Sequence, residues 1–365
     1  MKSAPTHLGI RMQDIAEKAG VSIGTVSRVL RGRPDVSPDL TERVFAVAQK
    51  MGYRRPLRNR AGGAAKAAES LTLAYLVDVG PNRDWTHEAF FQRFAAGIQK
   101  QTSTVNGHLL FASCRQDIER DVLPSLVTNG IANGVIVKTY DQGPWLKKLQ
   151  MRLPTVVLMN KPDDRAVSSV TCDNYSGSYQ AVKHLVELGH RRIGFLSIEN
   201  GNVPEDSRDN GINIHHAERA EAFLKHVRLF GCEENPAYVQ VPLRDWTKES
   251  NEEVISRALD AFLALGSKRP TAIIAATEIY AKVLTAVAKQ RNLLVPKDFS
   301  LITYQHDGLH TDAPLISCLE LRGEDMGAMA VSVLLEQIKN PLAPPVQIAV
   351  GMKYLQGQSC APVSA

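Results

Sequence analysis

A chain of 365 residues exceeds one ordinary domain, and its 44% hydrophobic, 22% charged composition is that of a globular protein with sizeable cores. The net charge of +5 is unevenly placed: residues 1–60 hold twelve Lys and Arg against five Asp and Glu, so the remainder carries 5 − 7 = −2. A basic head on a slightly acidic body is the asymmetry of a protein whose one end meets a polyanion. Five scattered cysteines without a CxxC pair argue against a disulfide framework and a zinc site, and no run approaches the roughly 18 apolar residues of a membrane span. The N-terminal residues also lack the apolar core of a signal peptide, so a cytoplasmic, membrane-free location is expected.

In chain order, apolar residues at Met12, Ile15, Ala16 and Ala19 mark one helix face, and Gly20 stops that helix. Ser22 is the cap of a second helix reaching about Leu30, and Ser37-Pro38 opens a third with the stripe Leu40, Val44, Val47, Ala48 and Met51. Three short helices with a glycine turn between the first two predict a helix-turn-helix unit. On the second helix Val26, Val29 and Leu30 face inward, which leaves Ile23, Gly24, Thr25, Ser27 and Arg28 on the open side. Hydroxyls of Ser22, Thr25 and Ser27 suit phosphate oxygens, Arg28 suits a guanine edge, and Ile23 suits a thymine methyl. Arg31, just beyond the helix, joins the DNA-facing set.

Residues 54–69 are basic and then rich in Ala and Gly, the composition of an interdomain linker, whose Arg54 and Arg55 suit phosphates. From Leu71 the pattern becomes short apolar strands, expected at 71–78, 108–112, 134–137, 155–159, 192–197, 238–241, 272–275 and 299–304. Amphipathic helices alternate with them, among others over 90–101, 177–188, 217–230, 251–265 and 278–291. Such alternation predicts parallel sheets covered on both faces, here two doubly wound lobes. The domains are therefore a helix-turn-helix head (9–53), a linker (54–69) and a two-lobed body (70–365).

The wording of the head, with Asp14-Ile15-Ala16, Ala19-Gly20-Val21-Ser22 and Thr25-Val26-Ser27-Arg28-Val29-Leu30, closely resembles the lactose/galactose repressor (LacI/GalR) family. The resemblance continues through DNYSGSYQAVKHLVELGHRRIGFLS, PTAIIAATEIYAKVLTAVAKQRNLLVPKDFSLITYQHD and EDMGAMAVSVLLEQI, nearly the whole chain. It implies a transcription regulator, a repressor, that reads a near-palindromic DNA operator as a homodimer. Its periplasmic-binding-protein-like sensor would bind a small molecule, a sugar or nucleobase, and the charges of Lys138 and Arg219 point toward an anionic one such as an acid sugar. No enzymatic activity and no cofactor are implied. The competing reading keeps the DNA-binding dimer but makes the sensor a scaffold that binds no ligand. One departure stands out: family members carry a hinge-helix Leu at the place that falls near Gly62 here.

Carried over position by position, the effector contacts are Phe90, Lys138, Arg219, Trp246, Thr277 and Gln305. Thr277-Glu278 replaces the usual Asn-Asp, and Gln305 replaces an Asp that chelates sugar hydroxyls. Each residue has an alternative: core packing for Phe90, a solvated position for Lys138 and Glu278, packing on a helix for Trp246, and a structural ion pair for Arg219. Gly-rich phosphate loops, metal-ligand spacings and a GxSxG elbow are absent, and His190 is expected to make a local structural contact.

Overall fold

The computed structural model describes residues 11–30, 36–51, 71–80, 89–139, 143–162, 166–201, 211–305 and 316–363. The linker 54–69, with Arg54, Arg55 and Gly62, and Arg31 lie outside the described residues.

The head has its own core. Helices α1 (Met12–Ala19), α2 (Ile23–Val29) and α3 (Pro38–Lys50) bury Ile15, Ala16, Ala19, Val26, Val29, Leu30, Val44 and Ala48 against one another. Gly20 ends α1 in the left-handed conformation (φ 61°), a backbone state that glycine adopts at little cost. Ser22 caps α2 as the sequence predicts: its Oγ accepts from Thr25 N at 3.0 Å.

Contacts divide the chain into two units. The first gathers Met1–Asp78, Ile98–Ser169 and Ala328–Gln347, and the second Val79–Gly97, Val170–Gly327 and Ile348–Ala365. Strands β1 (Thr72–Val77), β2 (His108–Ser113), β3 (Gly134–Lys138), β4 (Thr155–Leu158), β5 (Ser168–Asp173) and β13 (Gln347–Gly351) form one sheet, in the order β13-β5-β4-β3-β1-β2. Pairs β1–β2, β1–β3 and β3–β4 are parallel. Between these strands run α4 (Ala89–Ser103), α5 (Arg115–Glu119), α6 (Ser125–Thr128) and α7 (Pro144–Arg152). Trp145, Leu146, Leu149, Val135, Val137 and Val157 lie in the core of the first unit.

The second sheet comprises β6 (Ile193–Leu196), β8 (Val239–Gln240), β10 (Ala272–Ala275), β11 (Ser300–Gln305), β12 (Ser317–Glu320) and β14 (Lys353–Leu355), in the order β14-β12-β11-β10-β6-β8. It is parallel except for the β12–β14 pair. Helices α8 (Asn174–Glu187), α9 (Gly211–Leu229), α10 (Asn251–Leu263) and α11 (Glu278–Gln290) belong to the second unit, whereas α12 (Gly323–Lys339) begins there and continues from Ala328 in the first. A separate parallel ribbon pairs β7 (Glu199–Gly201) with β9 (Leu243–Asp245).

All eight predicted strands are present, and the described residues hold six further ones that lacked a visible signal. In β5 the reason is physical: Ser168, Ser169 and Thr171 are buried, so no apolar run betrays the strand. Ser168 is satisfied by residues distant in sequence, its Oγ accepting from Gln337 Nε2 at 2.6 Å and Val346 N at 3.0 Å. Helix α9 starts six residues before the predicted Ala217. His190 is structural but not local: its ring bonds with Thr271, Ser300 and Ala361, which ties the C-terminal segment to the sheet.

Candidate functional site

In the head the helix α2 presents its polar face outward. Ser22, Ile23, Gly24 and Arg28 are exposed and Thr25 and Ser27 half-buried, while Val26 and Val29 fill the core beneath. Ile23, 48% exposed, is an apolar side chain with no place in the head's own core. Gly24 is open: a Cβ there would meet only Ser22 Oγ at 3.6 Å. Ser22 and Thr25 also bond to each other through their hydroxyls at 2.9 Å, so both are ordered before any phosphate arrives.

Doubly wound sheets bind ligands outside the carboxyl ends of their strands, where the strand order reverses. In the first unit the order reverses between β1 and β3. Lys138 ends β3 and is 1% exposed, which removes the solvated reading. Around it lies a polar group that sequence reasoning missed. Asp78, directly after β1, pairs with Arg115 Nε at 2.8 Å and accepts from Thr139 Oγ1 at 2.8 Å. Asn160 Nδ2 donates to Thr139 O at 3.2 Å. A charged residue closing an apolar strand, as in LTLAYLVD, was the available signal for Asp78.

In the second unit the order reverses between β6 and β10, and Arg219 reaches that point from α9. It is fully buried, its Nε donating to Asn174 Oδ1 at 2.9 Å and its Nη1 to Ala276 O at 2.6 Å, one residue past β10. The guanidinium carbon lies 4.3 Å from the centre of the Tyr304 ring. Asn174, also fully buried, donates to Glu218 and lies 3.4 Å from His215 Nδ1. His216 is held neutral, its pKa pushed down to about 3 by burial first and by the Arg219 charge second. Asn174 was overlooked because Asp173, beside it, carries the obvious helix-capping signal; Asp173 Oδ1 accepts from Tyr175 N and Ser176 N.

The other carried-over residues are less uniform. Trp246 is 37% exposed and stacks on Arg244, 4.3 Å from guanidinium carbon to ring centre, rather than on a helix. Phe90 is half-buried, its ring edge-on to Phe91 and Phe94 at 5.2 and 4.9 Å. Thr277 caps α11, its Oγ1 accepting from Tyr280 N. Glu278 pairs with Lys282 at 2.6 Å and is mostly buried, not solvated. Gln305 ends β11, in register with Glu320. Among the described residues no cluster of His, Cys, Asp and Glu is placed to hold a metal ion, and no helix is long and apolar enough to cross a membrane.

Residues 11–56 match the model of bacterial regulatory proteins of the lacI family, and residues 182–360 match that of the periplasmic binding protein-like domain. Catabolite control protein A of Priestia megaterium is 25% identical over 90% of this chain and 92% of its own length. The HTH-type transcriptional repressor CytR of Escherichia coli K12 is 27% identical over 93% of each. Among solved structures, the transcriptional regulator CelR–cellobiose complex aligns with a TM-score of 0.62 and 24% identity, over 96% of this chain and all of the other; it shows the fold.

Proposed function

The chain belongs to the lactose/galactose repressor family, and on that premise we propose how it works as a DNA-binding transcription repressor controlled by a small molecule. It is a regulator and not an enzyme, as its relatives are. Residues 9–53 are the reading head, 54–69 the tether and 70–365 the sensor and dimerisation body. A homodimer sets two α2 helices into successive major grooves of a near-palindromic operator. Arg28 reads a guanine edge, Ile23 contacts a thymine methyl, and Gly24 lets the helix approach closely. Ser22, Thr25, Ser27, Arg31, Arg54 and Arg55 hold phosphates. The protein acts in the bacterial cytoplasm, at the nucleoid.

The sensor half rests on one observation: Arg219, a fully buried guanidinium fixed by Asn174, Ala276 and Tyr304 beside the strand ends where such sheets bind ligands. An arginine fork matches vicinal hydroxyls or a carboxylate. With Phe90, Trp246, Thr277 and Gln305 of the same unit it suits a sugar or acid sugar; the family resemblance and the cellobiose bound by CelR support that class. Binding shifts operator affinity by as much as the sugar's affinity differs between the two DNA-binding states, typically 1–3 kcal/mol.

A thermal-shift screen of the full chain against neutral sugars, acid sugars, sugar phosphates and nucleobases tests this reading. A sugar should raise the melting temperature in proportion to RT ln(1 + [L]/Kd). A nucleobase hit would replace the ligand class, and a silent screen of folded protein would favour the ligand-independent scaffold.

A further inference from the structure

We infer that Arg244 is a positioning residue for Trp246: its guanidinium covers one face of the indole and fixes the ring so that its other face meets the small molecule. The inference rests on the proposed reading of Trp246 as an effector contact.

The local sequence places the two side chains together. Arg244 lies in β9 and Trp246 opens the turn that directly follows it, with 4.3 Å between the guanidinium carbon and the ring centre. β9 is anchored by its pairing with β7, Asn200 opposite Arg244 and Gly201 opposite Asp245, and Trp246 N donates to Gly201 O at 3.1 Å. The backbone of the tryptophan is therefore set by the ribbon, and what remains is the rotation of its ring.

Arg244 limits that rotation because it is itself immobilised. Its Nε donates to Glu249 O at 2.9 Å and its Nη1 to Asn251 Oδ1 at 2.7 Å, which holds the guanidinium over the ring, 4.3 Å from its centre. Both acceptors belong to a braced turn. Asp245 Oδ1 accepts from Thr247 N and Oγ1, and Glu249 Oε2 accepts from Asp245 N. Glu249 also pairs with Arg257 of α10, and Ser250 and Glu253 form a reciprocal cap at the start of that helix. Lysine would not reproduce this, since only a planar guanidinium stacks on a ring while donating in two fixed directions.

The ring stays more than a third exposed despite this bracing. A side chain that gives up its freedom before binding loses less on binding, so a fixed, half-covered indole presents the C–H face of a sugar with a pre-paid aromatic platform.

The test uses the full chain labelled with 5-fluorotryptophan. Its three resonances, from Trp85, Trp145 and Trp246, are assigned with Trp246→Phe, and acrylamide serves as the collisional probe of Trp246 fluorescence. Arg244→Ala should raise the acrylamide quenching of Trp246 about two- to threefold and move its fluorine resonance, with Arg244→Lys in between. A merely structural strut would lower the melting temperature with quenching and resonance unchanged, and that result overturns the inference. Ribose, cellobiose and glucuronate are then titrated. A sugar that binds the unaltered chain should bind Arg244→Ala several-fold to about tenfold more weakly. Undiminished affinity in Arg244→Ala overturns the inference where Trp246→Ala does weaken binding. Undiminished affinity in Trp246→Ala instead sinks the reading of Trp246 as a contact.

Discussion

Arg219 and Asn174 fix each other inside the second unit: the arginine Nε donates to the Asn174 carbonyl oxygen at 2.9 Å, while the Asn174 amide donates to Glu218. One amide thus joins a buried cation to a carboxylate on the neighbouring residue of the same helix. Arg219→Lys should fold but lose its sugar-induced melting shift, since a single ammonium cannot donate to Asn174 Oδ1 and Ala276 O in the two fixed directions of a guanidinium placed over Tyr304. Arg219→Ala should in addition cost about 1–3 kcal/mol for each acceptor left buried without a donor, read by urea denaturation. A full sugar response in Arg219→Lys would contradict the assignment.

Gly97 tests the packing of α4. A Cβ at this position would lie 1.9 Å from the Glu324 carbonyl oxygen at the start of α12, with no flexible side chain to give way. Gly97→Ala should therefore destabilise by about 1–3 kcal/mol or more, although alanine favours helix. Equal or greater stability by urea denaturation would show that the two helices do not cross so closely.

In the head, reading and folding can be separated. Arg28→Ala should weaken specific operator binding by about 1–3 kcal/mol with little change in stability, because its side chain is exposed. Ser22→Ala removes the acceptor for Thr25 N and should lower the stability of the head by about 1 kcal/mol. Gly24→Ala meets only Ser22 Oγ at an ordinary contact distance, so it should raise the stability of the head by about 0.5–1 kcal/mol while altering operator preference. Fluorescence anisotropy with labelled duplexes and circular dichroism separate these outcomes.

Acid should unfold the second unit through its histidines. Burial lowers His184, His190, His216 and His226 below their usual value, His216 to about 3. The unfolded chain then takes up protons first, so the stability these residues confer is complete above about pH 6.5 and is lost as pH falls. His216, whose ring bonds with Ile198 O, should alone account for about 1 kcal/mol per pH unit between pH 6 and 4. His216→Asn should flatten that slope in denaturation curves; an unchanged slope would show that another group titrates.

Much of the fold was legible because its signals are local. Ser22 and Gly20 announce the helix ends in the head, and the apolar runs of β1, β3 and β10 are uninterrupted. What stayed hidden depends on distant partners. β5 buries Ser168, Ser169 and Thr171, which look like loop residues; Ser168 finds its partners only when Gln337 and Val346 are brought to it. The site divides the same way. Arg219 stands in a recognisable motif, but Asn174, Asp78 and Arg115 have roles set by pairs 37 to 45 positions apart along the chain. Arg244 reads in sequence as one more surface cation, and only the turn back to Asn251 aims it at Trp246.

The most direct test of the account is the anisotropy of an operator duplex, selected from near-palindromic random sequences, titrated with the full chain with and without the sugar that raises its melting temperature. The sugar should change operator affinity about 5- to 150-fold, an effect abolished in Arg219→Lys while sugar-free DNA binding persists. Operator affinity that ignores a sugar demonstrably bound to the protein would contradict it.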